Sequence, residues 1–210
     1  MAEYNNGIET IALCGAGGTG KGTLLKAFVE ENPYFNIIAS PVQYIGKKLA
    51  AFSKNYNDMD FPSKIVFQYS GLMSQISMER NAKDNYLDTI VERSVFDYLA
   101  YMNEALQTKY GTDTARMEVE YSKYESIVKE YIKQERPYTK VVFVPIEFAP
   151  KDNKKSIWKE RNAEKRQNTE KRLISILDKF KNYIDIVKVS GTTSKRVKQI
   201  QSTLEPCIRY

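Results

Sequence analysis

Histidine is absent from this chain of 210 residues, and that absence removes whole classes of chemistry. No Ser-His-Asp triad, histidine general base or histidine-held metal can be built from it. Cysteine is nearly absent. Cys14 and Cys207 are too few and too far apart for a zinc site. The expectation is a reducing, cytoplasmic protein without disulfides. No apolar run approaches the roughly 18 residues that signal a membrane span. The first six residues lack the basic-then-apolar pattern of a secretion signal. Acid–base chemistry therefore falls to Asp, Glu, Lys or Tyr.

Charge is uneven. The net charge is +6, and residues 151–181 carry 11 Lys and Arg against 5 Asp and Glu. The rest of the chain is then 21 against 21, which is neutral. One segment holds the whole basic excess. It reads either as a polyanion footprint or as the solvated face of a helix.

The stretch Leu13-Cys14-Gly15-Ala16-Gly17-Gly18-Thr19-Gly20-Lys21-Gly22-Thr23 organises the chain. It follows the apolar run Ile8 to Leu13, which reads as a buried strand, and precedes the helical run Leu24 to Val29. Strand, glycine loop, lysine and helix are the context of a phosphate-binding P-loop. Glycines let successive N–H groups turn toward one anion, and the new helix adds its own unpaired N–H groups and dipole. Gly15, Gly17, Gly18, Thr19, Gly20, Lys21, Gly22 and Thr23 are thus the expected nucleotide contacts. Lys21 would reach the β- and γ-phosphates, and Thr23 would offer a hydroxyl to a phosphate or a metal-bound water. Gly15, Gly17 and Gly20 also spell the dinucleotide fingerprint. That motif needs an acid about 20 residues on, whereas the next strand ends Ile37-Ile38-Ala39-Ser40-Pro41 without one.

Five apolar strands alternate with helices. They are read at Ile8–Leu13, Tyr34–Ala39, Tyr86–Val91, Thr139–Pro145 and Tyr183–Val189. The helices are read at Ile45–Phe52, Ile65–Met78, Val95–Tyr110 (closed by Gly111), Thr114–Gln134 and Lys195–Leu204. Ser53 to Pro62 reads as a polar loop, and the basic segment as mostly helix. This order predicts a three-layer α/β P-loop NTPase fold. Its features are a five-stranded parallel sheet, helices on both faces and a basic helical lid at about 151–181, all within one domain, 1–210. On the helix Ile65–Met78 the apolar face reads as core, and Gln68, Gln75 and Glu79 are candidates to face a substrate cleft.

Two motifs resemble known families. Gly20-Lys21-Gly22-Thr23 resembles the loop of adenylate kinase and other nucleoside monophosphate kinases. Glycine replaces the usual Ser or Thr after the lysine, which leaves direct hydroxyl ligation of magnesium open. The run from Glu92-Arg93-Ser94 to Tyr101 resembles the Asp/Glu-Arg-Ser motif of deoxynucleoside kinases and nicotinamide riboside kinase-like proteins. The resemblance implies ATP and Mg2+ as cofactors. It places Glu92 near magnesium or the acceptor hydroxyl and Arg93 on phosphate or acceptor. Asp97 is either an acceptor contact or a helix cap. In deoxynucleoside kinases the second strand ends in a glutamate base before Pro-Val, but here the residue is Ser40. That departure favours a nucleoside monophosphate acceptor over a nucleoside. The position of the basic segment resembles the arginine-bearing lid of these kinases, which brings Arg161, Lys165 and Arg166 forward as γ-phosphate contacts. Trp158 reads as a packing anchor. Ser190-Gly191-Thr192 resembles their adenine loop or is a plain turn.

The implied activity is transfer of the γ-phosphate of ATP to a nucleotide or nucleoside, foremost a (deoxy)nucleoside monophosphate. Two further readings stay open. One is transfer to a hydroxyl of DNA or RNA held by the basic lid. The other is a regulator that holds ATP without transfer. No membrane partner is expected, and the sequence leaves a homodimer open.

Overall fold

The computed structural model describes residues 7–42, 45, 56–148 and 163–204. Residues 46–52 of the expected helix, Trp158 and Arg161, the part of the expected lid before 163, and Cys207 lie outside them. The described elements are β1 (Thr10–Cys14), α1 (Lys21–Glu31), β2 (Asn36–Ile38), a 3-10 turn (Tyr56–Asp58), α2 (Phe61–Asp84), β3 (Thr89–Val91), α3 (Val95–Tyr110), α4 (Thr114–Glu135), β4 (Lys140–Phe143), α5 (Ala163–Phe180), β5 (Ile186–Lys188) and α6 (Thr193–Gln201). All five strands are parallel, in the order β2-β3-β1-β4-β5.

The period of two along each strand divides the core. On β1, Ala12 and Cys14 join the cluster formed with α2, α3, α4 and α5. Ile11 and Leu13 join the opposite cluster, against Leu24 and Phe28 of α1 and Val197 and Ile200 of α6. Both faces are covered, so the central strands β1 and β3 and most of β4 are buried, while the edge strands β2 and β5 are less so. Among the described residues no helix is long and apolar enough to cross a membrane.

Several expected boundaries shift for local reasons. The strand expected from Tyr86 begins only at Thr89. Tyr86 adopts a left-handed φ of 55°, and the Tyr86 and Leu87 amides donate to Lys83 and Ala82 carbonyls, closing α2. At its other end α2 reaches back into the expected loop. Asp60 caps it by accepting from the Ser63 amide at 2.8 Å, and Pro62 sits in the first turn. The expected strand at Tyr183 is a turn first, with the Tyr183 amide on the Phe180 carbonyl. Within the basic segment, α5 buries a stripe of Arg166, Thr169, Leu173, Ile176, Leu177 and Phe180. Its lysines ride mostly on the exposed side.

Gly71 lets α2 and α3 approach closely. A Cβ there would lie 2.5 Å from Cε1 of Tyr98, a ring with no exposed surface. Gly71→Ala should therefore destabilise the protein by about 1–3 kcal/mol through overpacking, despite alanine's better helix propensity. Urea unfolding would show it, and an unchanged or raised midpoint would refute the close contact.

Candidate functional site

The loop after β1 forms a closed cradle. Val144 at the end of β4 crowds its start, since a Cβ on Gly15 would lie 2.5 Å from the Val144 carbonyl oxygen. Gly18 and Gly20 take left-handed φ values of 75° and 92°, which glycine adopts without strain. The Gly20 carbonyl accepts the first bond of α1 from Leu24, so the loop ends as a helix N-terminus. The Thr19 hydroxyl donates back to the Ala16 carbonyl at 3.1 Å. Thr23 stands exposed on the first turn of α1.

Lys21 is 8% exposed. Its ammonium donates to the carbonyls of Gly15 and Ala16 and lies 4.0 Å from Oδ1 of Asp97. Burial lowers its pKa, and the Asp97 carboxylate opposes that shift. Asp97 is wholly buried. It forms the capping box of α3 with Ser94 and accepts from the Ser94 amide at 3.0 Å and hydroxyl at 2.8 Å. Its other oxygen accepts from the Gly15 amide at 3.2 Å. The cap reading of Asp97 thus describes its geometry, and its second oxygen ties α3 to the loop, away from any acceptor. Cys14 lies beneath, its thiol pushed up by burial and by Asp97.

Glu92 follows β3 and reaches the first turn of α1. Its Oε2 accepts from the Ser40 amide at 3.2 Å. A Cβ on residue 22 would come within 3.0 Å of Oε1. Glycine after the lysine therefore leaves the space that the Glu92 carboxylate fills, which explains the missing Ser or Thr. Arg93 stacks over the Tyr101 ring, 5.1 Å from its centroid.

Arg166 is only 3% exposed. Its Nε donates to the Gly17 carbonyl at 2.8 Å, with longer contacts at 3.5 Å to the Gly18 and Phe148 carbonyls. It grips the loop's backbone from outside. Lys165 is exposed on α5. Gly191 has a left-handed φ of 88°, and its amide donates to Oε2 of Glu147 at 2.7 Å. Thr192 caps α6 by accepting from the Lys195 amide at 3.3 Å.

The acceptor candidates lie on α2 and at the end of β2. Ser40 Oγ, Gln68 Oε1, Gln75 Oε1 and the Tyr98 hydroxyl are buried without a well-aligned hydrogen bond among the described residues, although Ser40 faces Tyr98 and Gln68 faces Tyr56. The amide of Gln75 donates to Glu79 at 2.7 Å. Glu79 also accepts from the hydroxyls of Tyr131 and Tyr138, each at 2.8 Å, and Tyr138 in turn accepts from the Val95 amide at 3.1 Å. Glu79 is thus the hub of a buried network rather than a group presented to a cleft. Burial pushes its pKa up to about 7 against the pull of its three donors.

Arg196 and Glu147 escaped the sequence reading. Nothing local marks one arginine in a basic last helix or one glutamate after a strand. No three His, Cys, Asp or Glu cluster among the described residues. The Glu92 carboxylate, set against Gly22, is a ligand type that Mg2+ takes.

A family model described as AAA domain matches residues 10–196. No curated protein sequence matches the chain. Among solved structures, deoxyadenosine kinase from M. mycoides with dCMP and dCDP bound is 15% identical, with a TM-score of 0.64, covering 93% of this chain and 98% of that one. Thymidylate kinase from Candida albicans is 17% identical, with a TM-score of 0.64, covering 93% and 90%. NadR in complex with NR is 16% identical, with a TM-score of 0.63, covering 97% of this chain and 54% of that one. At such identities the likeness is one of fold.

Proposed function

The chain belongs to the AAA domain family and has the fold of the P-loop nucleoside and nucleotide kinases, and from that premise we propose that it is a cytoplasmic, ATP- and Mg2+-dependent phosphotransferase. It moves the γ-phosphate to a nucleotide or nucleoside, foremost a (deoxy)nucleoside monophosphate. One observation carries the reading: the Lys21 ammonium lies on the loop carbonyls of Gly15 and Ala16, and the Glu92 carboxylate lies against Gly22, the next residue of α1.

Phosphoryl transfer asks for positioning and charge neutralisation. Lys21 and the loop amides hold the donor phosphates. Glu92 holds the metal or receives the acceptor proton, its orientation set by the Ser40 amide. Mg2+, when bound with the nucleotide, neutralises charge on the phosphates. Arg93 holds the acceptor phosphate, and Arg161 and Arg166 of the lid segment supply positive charge at the transferring group. The turn at Gly191 and Thr192 seats the nucleobase. Gln68 and Gln75 of α2, with Ser40 after β2, offer hydrogen-bonding groups to the acceptor. No acid occupies position 40, so an acceptor that is already a phosphate suits the site best.

ADP release from magnesium-ATP tests this against nucleosides, deoxynucleoside monophosphates and a single-stranded oligonucleotide. Strong response to one monophosphate is expected. Glu92→Gln should then lower turnover at least about a hundredfold while changing the acceptor KM far less. A response to the oligonucleotide alone would move the acceptor to a nucleic acid. Full activity in Glu92→Gln would sink the assignment.

A further inference from the structure

Three segments remote in sequence meet at one guanidinium. Arg196 on the first turn of α6 is 4% exposed. Its Nη1 donates to the Thr19 carbonyl of the glycine loop at 3.0 Å. Its Nη2 donates to Oε2 of Glu147, just past β4, at 3.0 Å. The same carboxylate oxygen accepts the Gly191 amide from the turn after β5. The Phe148 ring lies 5.7 Å from the guanidinium carbon, and a Cβ on Gly20 would stand 3.9 Å from Nη1. The guanidinium is thus wedged between the phosphate loop and the turn. The fork geometry of arginine permits this, because two donors point at two acceptors at once.

We propose that Arg196 and Glu147 are a positioning pair that locks the phosphate loop to the turn at Gly191, so that the shape of one depends on the other. The inference rests on the nucleotide-site reading given above. Neither side chain is assigned contact with phosphate. Arg196 pulls the Thr19 carbonyl outward, which turns the neighbouring loop amides toward the cradle. Glu147 fixes the guanidinium in that pose and holds the Gly191 amide with the same atom. Its carboxyl is held below the usual range by that amide and by Arg196. The pair acts as a strut, and each member works through the other.

The sign of one substitution separates this from simple electrostatics. Glu147→Met removes a negative charge near an anion site, and by charge alone it should tighten phosphate binding. It also removes the one oxygen that takes both Arg196 and the Gly191 amide, so a strut predicts the opposite. Calorimetry with ATP and with inorganic tripolyphosphate, which has no base, would be done on the full chain carrying Glu147→Met, Arg196→Met, Arg196→Lys and the double change Glu147→Met with Arg196→Met.

Glu147→Met and Arg196→Met should each weaken tripolyphosphate about tenfold, a usual size for coupling between sites. The double variant should be no weaker than Arg196→Met alone, since both changes break one device. Arg196→Lys keeps the charge but cannot span both acceptors, so it should fall with Arg196→Met. Thermal midpoints should stay within a few degrees of the unaltered protein, which separates positioning from general loss of structure.

Tighter or unchanged tripolyphosphate binding in Glu147→Met would overturn the inference, as would additive losses in the double variant. If the unaltered protein binds tripolyphosphate and ATP equally, nucleobase recognition at the turn falls while the strut stands on the tripolyphosphate results. If it binds neither, both fall together.

Discussion

Lys21→Met should reduce phosphoryl transfer by about a thousandfold while the protein remains folded. The ammonium is the one side-chain cation described inside the loop. It is buried, satisfied by the Gly15 and Ala16 carbonyls and set 4.0 Å from Asp97. Burial makes its charge expensive to hold, so its pKa is already lowered. A triphosphate entering the cradle brings negative charge that favours the ammonium and opposes the effect of burial. Methionine keeps the aliphatic stem and removes the charge. Asp97 retains its bonds from the Gly15 amide and from Ser94, so α3 should stay anchored. Lys21→Arg should not rescue, because a planar fork does not fit where a single ammonium makes two bonds to adjacent carbonyls. Steady-state ADP release would measure the loss, with circular dichroism to confirm folding. Turnover within tenfold of the unaltered enzyme would remove Lys21 from the chemistry.

The second large effect concerns stability. Glu79 gathers three donors in the core, Gln75, Tyr131 and Tyr138. Glu79→Ala leaves all three without their acceptor and opens a cavity, and should lie about 3–5 kcal/mol below Glu79→Gln in unfolding free energy. The glutamine variant keeps an oxygen acceptor, and a phenol can turn to accept from its amide. It also isolates the pH effect. The folded-state pKa is raised from 4.5 to about 7, so the folded protein binds a proton that the unfolded chain has released. The stability due to this group is complete below pH 4.5 and is lost as pH rises through 7. The difference in unfolding free energy between the unaltered protein and Glu79→Gln should therefore fall by roughly 3 kcal/mol across that window. Urea titrations at intervals from pH 4 to 8 would show it. Parallel pH profiles for the two proteins would refute a buried, proton-binding Glu79. Tyr138 also takes the Val95 amide, so loosening this network should be felt at the start of α3, beside Arg93.

The glycine loop was legible because its causes are local. A glycine loop must follow a strand and precede a helix within a dozen residues, and the chain from Thr10 to Glu31 does so. Helix α3 matched its expected bounds, since its start carries Ser94 and Asp97 and its end carries Gly111. Hydrophobic runs were enough to count five strands, and alternation with helices made them parallel. Their ends were less legible. At Tyr86 a left-handed turn, not hydrophobicity, decides where the helix stops and the strand begins.

Facing could not be read from spacing. Gln68, Gln75 and Glu79 lie on one helix, yet Glu79 turns to the phenols of Tyr131 and Tyr138, which arrive from more than 50 residues away. Gly22 looked like a departure from a motif until Glu92, 70 positions on, was seen to fill the space it leaves. The grip of Arg166 on Gly17 spans 149 residues and that of Arg196 on Thr19 spans 177. The sequence by itself determined the phosphate loop, the parallel α/β class and the absence of histidine chemistry, because each is a matter of residue type and short-range order. The tertiary structure alone decided which carboxylate reaches α1, which arginines brace the loop and which polar groups are buried in the core. Those depend on strand order and helix packing, which bring distant side chains within bonding distance and leave no mark in any short stretch of chain.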